Sequence, residues 1–218
     1  MEKLKSEVLS TAVAMNASGI NSGSAGNVSA RSGAGLVITP TGMAYADCEA
    51  ADMVSLDAYG LPSVGADGTP SQRRQPSSEW RFHKDIYAFQ PHAGAIVHAH
   101  SPFATALACQ GMSIPAFHYM VARFGGNDVR CASYATFGTQ ALSDAILAAL
   151  RDRTACLMAN HGMVVFGQDL KQTLALAIKL ESLAEQYWRV LQLGAPTLLS
   201  DDEMARVLLK FSHYGQQR

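Results

Sequence analysis

Apolar side chains open the chain at Leu4, Val8, Leu9, Ala12, Val13 and Met15. This 3.6-residue spacing predicts a helix over residues 3–17, ended by Gly19. The stretch that follows, GINSGSAGNVSARSGAGLVITPTG, is dense in Gly and Ser. Two short strands are expected inside it, near residues 27–31 and 36–39, with turns between them. Residues 53–56 predict a further strand, and DAYGLPSVGADG a turn-rich hairpin region. After Pro76, residues 78–89 predict a helix. The apolar run at 95–100 predicts a strand, and Pro102 fits the first turn of a helix running to Cys109.

Residues 138–150 predict another helix. Residues 154–159 and 163–166 predict two strands joined by a tight NHG turn. The longest helix is expected over 170–193. Its period is held by Leu174, Ala177, Ile178, Glu181, Ala184, Tyr187, Trp188 and Leu191, and Gly194 and Pro196 end it. Ser200-Asp-Asp-Glu203 has the form of a capping box opening a last helix, with Met204, Val207 and Leu208 on one face. Strands and helices interleave without a strict βαβ rhythm. The expectation is one α/β domain over residues 1–218, with a mixed or antiparallel sheet.

Composition narrows the function classes. Hydrophobic residues make up 48% of the 218 positions and charged ones 16%, as in a well-buried globular protein. A net charge of -1 offers no basic field for nucleic acid. No apolar run approaches the ~18 residues of a membrane span. MEKLKSEVLS lacks a signal-peptide apolar core, so a cytoplasmic location is expected. Cys48, Cys109, Cys131 and Cys156 form no CxxC pair and are expected to be small buried hydrophobes.

One motif breaks the apolar logic. IVHAHS puts His98 and His100 two residues apart in a stretch that otherwise predicts a buried strand. On a strand these side chains share a face, at a separation suited to one metal ion. Burying two imidazoles without a shared purpose costs polar desolvation. A cupin would need a glutamate three or four residues on, but the next is Glu181. An amidohydrolase barrel would place the pair on the first strand of a longer chain. A third pattern draws a carboxylate from upstream and a histidine from downstream, for which Glu79 and His161 are available. Spacing alone does not choose among His83, His92, His118 and His161.

SAGNVSAR, ITPTG, PSSEWRFH, AIVHAHSP, IPAFHYM, YATFGT and ANHGM, in this order, resemble the class II aldolase/adducin family over nearly the whole chain. The resemblance implies a single domain with a central, largely antiparallel mixed sheet flanked by helices. It also implies one Zn2+ per subunit and a four-fold homotetramer with shared active sites. Matched motif by motif, the ligands become Glu79, His98, His100 and His161. The tyrosine of HYM, Tyr119, would serve a neighbouring subunit's site as acid or base, and Glu79 would leave the metal to shuttle a proton. Ser24, Gly26, Asn27, Thr41, Gly42, Ser77 and Ser78 would bind phosphate, with Phe137 and Tyr214 near the aldehyde end. Asn160 stands where the family can carry a second histidine, and Ser24 where threonine is expected.

The activity implied is zinc-dependent cleavage of a ketose 1-phosphate into dihydroxyacetone phosphate and a short aldehyde. The first candidate substrate is L-fuculose 1-phosphate, followed by the related 5-deoxy- or 5-methylthio-pentulose 1-phosphates. A sugar-phosphate 4-epimerase or dehydratase is the alternative within the family. A non-catalytic adducin-like module would predict lost metal ligands.

Overall fold

The computed structural model describes residues 1–62 and 73–212. Seven strands form one sheet: β1 (Asn27–Ser32), β2 (Gly35–Ile38), β3 (Val54–Leu56), β4 (Ala95–Ala99), β5 (Cys131–Ala132), β6 (Ala155–Met158) and β7 (Gly162–Gly167). Their order across the sheet is β3-β2-β1-β4-β7-β6-β5. Every pairing is antiparallel except β5 with β6. The helices are α1 (Glu2–Ala17), α2 (Trp80–Phe89), α3 (Pro102–Cys109), α4 (Gln140–Ala149), α5 (Leu170–Leu193) and α6 (Asp201–Ser212).

Alternation along the strands sorts the core into two layers. Val28 and Ala30 of β1, Val97 and Ala99 of β4, Leu157 of β6 and Val165 of β7 pack toward α1, α3 and α5. Leu36 and Ile38 of β2, Ile96 of β4, and Val164 and Phe166 of β7 pack toward α2 and α4. The sheet is therefore covered on both faces, and its central strands are buried along their length.

The predicted helices and strands are all present, with boundaries moved by a residue or two where caps decide them. Helix α2 starts at Trp80 with Glu79 at its N-cap. Thr139 caps α4 by accepting from Leu142 N, so that helix begins after the predicted Gly138. Three short 3-10 turns, Tyr45–Asp47, Ala50–Asp52 and Tyr119–Phe124, and the two-residue β5 had no clear periodic signal. The long-helix face is rotated from the predicted one. Thr173, Leu176, Leu180 and Leu183 are buried beside Ala177, Ala184 and Tyr187, while Ile178 and Trp188 are 39% and 41% exposed. In α1, Val13 likewise turns outward. The cysteine expectation holds only for Cys156: all four are free, but Cys109 is exposed and Cys48 and Cys131 are half-buried. Ser200 accepts from Glu203 N at the start of α6. Part of the turn-rich hairpin region, together with Tyr214, falls outside the described residues.

Candidate metal centre

Strand β4 ends where the sheet's centre meets the α2 side. His98 has no exposed surface, and its ring meets the edge of Phe82 on α2, with centroids 5.6 Å apart. Its Nδ1 donates to Met163 O at 2.8 Å. That bond turns Nε2 toward the cleft. His100 lies just past the strand, with its Nε2 3.1 Å from Nε2 of His98. The NHG turn between β6 and β7 brings in His161. The three ring centroids form a near-equilateral triangle, 4.9, 4.8 and 4.9 Å on a side.

Glycines make this convergence possible at two points. A Cβ on Gly162 would sit 2.5 Å from Ala99 O and 3.1 Å from the His100 ring. Gly26, at φ +63°, would place a Cβ 2.5 Å from His98 O. The left-handed conformation and the close approach both demand glycine there. The end of β4 is held from other sides as well. His100 N donates to Asn21 Oδ1 at 3.4 Å. Glu181 on α5 accepts from Ser101 Oγ and the N–H groups of Phe103 and Ala104, capping α3 directly after the histidine pair. Glu181 fails as a cupin-type ligand and serves instead as a structural cap.

Glu79 supplies the carboxylate. Its Oε2 is 3.1 Å from His98 Nε2 and its Oε1 3.3 Å from His161 Nε2. Asn27 Nδ2 donates to Oε2 at 3.0 Å. Oε1 is buried and has no hydrogen-bond partner among the described residues, in spite of the nearby imidazole. An unsatisfied buried carboxylate oxygen facing three imidazoles fits a cation, because burial without a partner is costly. The donor atoms of His98, His100 and His161 lie within 4.8 Å of one another. Three imidazoles and a carboxylate suit a divalent transition metal.

The electrostatics agree with that donor set. Burial disfavours the Glu79 charge, but its pairing with His98, then His161 and the Asn27 donor, holds it well below the usual carboxylate range. His98 is shifted upward: burial works against its charge, and Glu79 more than offsets this. Burial, followed by repulsion from His98, pushes His100 and His161 down to about 4. Two of the three rings therefore keep their lone pairs through the neutral range.

The histidines open onto a cleft of about 340 Å³. Its walls include Ser24, Gly26, Asn27, Thr41, Gly42, Ser77, Ser78 and Phe137 with Glu79, His100 and His161. His98 lies buried beneath them. Backbone bonds join two of the wall loops: Thr41 N to Gln75 O and Ser77 N to Thr39 O. Tyr134, not singled out in the sequence, and Asn160, noted there only as standing where a histidine can stand, also line the cleft. Asn160 holds φ 55°, a left-handed turn position that asparagine tolerates, and this is the signal that could have flagged it. Tyr119 is not in this wall. It is 50% exposed on the 119–124 turn, stacked near Phe211, beside a separate apolar hollow.

Residues 6–188 match the family described as Class II Aldolase and Adducin N-terminal domain. The chain belongs to the class II aldolase and adducin family. It is 54% identical to the 5-methylthioribulose-1-phosphate/5-deoxyribulose-1-phosphate aldolase of Rhodospirillum rubrum, over 90% of this chain and 86% of that one. It is 42% identical to the L-fuculose phosphate aldolase of Escherichia coli K12, over 98% and 96%. A solved L-fuculose 1-phosphate aldolase superposes with a TM-score of 0.91 at 33% identity, covering 97% of both chains. These relatives make this family member a class II aldolase enzyme. Among the described residues no helix is long and apolar enough to cross a membrane.

Proposed function

We propose that this aldolase is zinc-dependent and cleaves a ketose 1-phosphate into dihydroxyacetone phosphate and a short aldehyde. The observation that carries the reading is the meeting of His98, His100, His161 and Glu79 at the floor of a cleft walled by hydroxyls and glycines. Zinc held by these residues supplies Lewis-acid stabilisation of the negative charge left on the dihydroxyacetone phosphate half. A non-catalytic relative would have no reason to keep that set together.

The chain's own groups divide the remaining work. Glu79, which lines the cleft beside the histidines, serves as the group that moves the proton of the reacting carbon. Ser77 and Ser78 stand before the first turn of α2, where N–H groups and the helix dipole favour an anion. Ser77 Oγ already receives Asn27 Nδ2 at 3.0 Å and Glu79 N at 3.3 Å, so its hydroxyl proton is the part offered to phosphate. Ser24, Gly26, Asn27, Thr41 and Gly42 complete that cradle. Tyr119, outside the wall of its own chain's cleft, acts on the C4 hydroxyl in an adjacent subunit of a homotetramer. Phe137 and Tyr134, each 64% exposed at the mouth, give the aldehyde end an apolar rim. That rim and the 54% identical relative favour a 5-deoxy- or 5-methylthio-ribulose 1-phosphate over L-fuculose 1-phosphate.

A panel of ketose 1-phosphates with coupled detection of dihydroxyacetone phosphate tests the reading, alongside metal analysis of the purified protein. Release of dihydroxyacetone phosphate from the 5-deoxy or 5-methylthio substrates, with about one zinc per chain, is expected. A product that remains a single epimerised sugar phosphate would overturn it.

A further inference from the structure

The cleft accounts for one side of Asn27 only. Its amide nitrogen donates to Ser77 Oγ and to Glu79 Oε2, both at 3.0 Å. Its amide oxygen faces away from the cleft and meets Nε2 of His83. The ring continues inward: His83 Nδ1 is 2.7 Å from Ser29 Oγ, and Ser29 Oγ is 2.9 Å from the Tyr87 hydroxyl. Tyr87, Ser29, His83 and Asn27 are between 0% and 5% exposed, so solvent cannot replace a member of this chain.

The chain has one consistent polarity once Glu79 is a carboxylate. A carboxylate only accepts, so Asn27 must present its NH2 group to it. Its carbonyl then requires a donor from His83, which makes Nε2 the protonated ring nitrogen. Nδ1 must accept from Ser29, and Ser29 in turn accepts from Tyr87. The reversed amide would set two acceptors against each other at the Glu79 contact, in a buried place where that is costly. Shape cannot choose between the orientations, because amide oxygen and nitrogen are nearly the same size. Only the partner behind the amide can. His83 is suited to the task because burial pushes its pKa down to about 3, leaving the ring neutral with one donor and one acceptor.

We propose that His83 is a positioning residue: through Asn27, and backed by Ser29 and Tyr87, it locks the carboxylate of Glu79 in place beside the three histidines. The proposal rests on the reading of Glu79 as a metal-site carboxylate and proton carrier.

The test uses the zinc-loaded enzyme for turnover and the cobalt-substituted enzyme for its ligand-field spectrum, which reports the coordination set independently of turnover. His83→Leu should lower kcat about 10–100-fold, the size typical for groups that orient a ligand. It should leave KM little changed and move the cobalt spectrum toward that of Glu79→Gln. His83→Gln, which can return an N–H to Asn27, should recover much of both. Wild-type turnover and spectrum in His83→Leu, or a Gln variant no better than Leu, would overturn the proposal. If His83→Leu does not fold, Ser29→Ala carries the test, since it removes one hydroxyl. A loss of roughly three- to tenfold is then expected, the range of one neutral hydrogen bond, and an unchanged kcat and spectrum would sink the idea. The two readings separate cleanly. If Glu79→Gln itself alters neither turnover nor spectrum, the role of Glu79 falls and this proposal with it. If Glu79→Gln alters both and His83→Leu alters neither, only the positioning role falls.

Discussion

The two faces of the central strands are both largely covered and are held by different forces. Toward α1, α3 and α5, β1 and β4 present Val28, Ala30, Val97 and Ala99. Toward α2, the same strands present Asn27, Ser29, Arg31 and His98. The first face is stabilised by apolar area removed from water, at about 25 cal/mol per Å². The second must satisfy each polar atom with a specific partner, or bear the cost of leaving it unpaired. Arg31 illustrates this: it donates to the carbonyls of Ala93, Tyr87 and Gln90 at the end of α2 and stacks over Tyr87. The apolar face tolerates a change of shape with a graded loss. The polar face tolerates little, because each member fixes the orientation of the next.

The largest expected effect lies on the polar face. His98→Ala should abolish both metal binding and turnover, measured by metal analysis and the coupled assay; a variant that keeps both would remove the centre. Glu79→Gln should keep its fold and its metal through the three histidines, while kcat falls ~10²–10⁴-fold, the usual share of a general acid–base group. Turnover near wild type would show that another group carries the proton.

On the opposite face, Leu157→Ala should cost about 2–5 kcal/mol in urea unfolding. Leu157 is fully buried in the α5-side layer. Metal stoichiometry and KM should stay as in wild type, and a changed metal content would mean that the two faces are not separable.

The most gradual effect is a pH slope. The folded pKa of His83 is about 3, below its usual value of 6.5, because burial disfavours the charged ring. Between these values the unfolded chain binds the extra proton, so stability rises with pH. The His83 contribution is complete above pH 6.5 and is lost as pH falls toward about 3, with a limiting slope of about 1.4 kcal/mol per unit. Metal-free wild type and His83→Gln should therefore converge in unfolding midpoint as pH falls from 6.5. Parallel curves would mean that His83 is charged or solvated in the fold.

Much of this architecture was legible because it rests on local rules. Periodicity placed α1 and α5, Pro102 placed the start of α3, and the i, i+2 spacing of His98 and His100 put both rings at one end of β4. The NHG turn was legible too, since Asn160 and Gly162 are the residues a tight left-handed turn and a close strand crossing need. β5 was not, because it exists only through its distant partner β6, and the 119–124 turn was not, because its short-range 3-10 bonds and His118 cap leave no hydrophobic period to read.

The choice of ligands lay beyond spacing for the same reason. Within the sequence His83 was as good a candidate as His161. In the fold, α2 turns His83 inward onto Ser29 and Asn27, and the β6–β7 turn carries His161 to within 3.3 Å of Glu79. Asn27, Ser29 and Arg31 alternate with Val28 and Ala30 along β1, and in the fold α2 and the turn after it cover that polar side. Which histidine becomes a ligand and which becomes its support depends on the packing of a helix against a sheet, and that is settled by contacts between residues fifty or more positions apart.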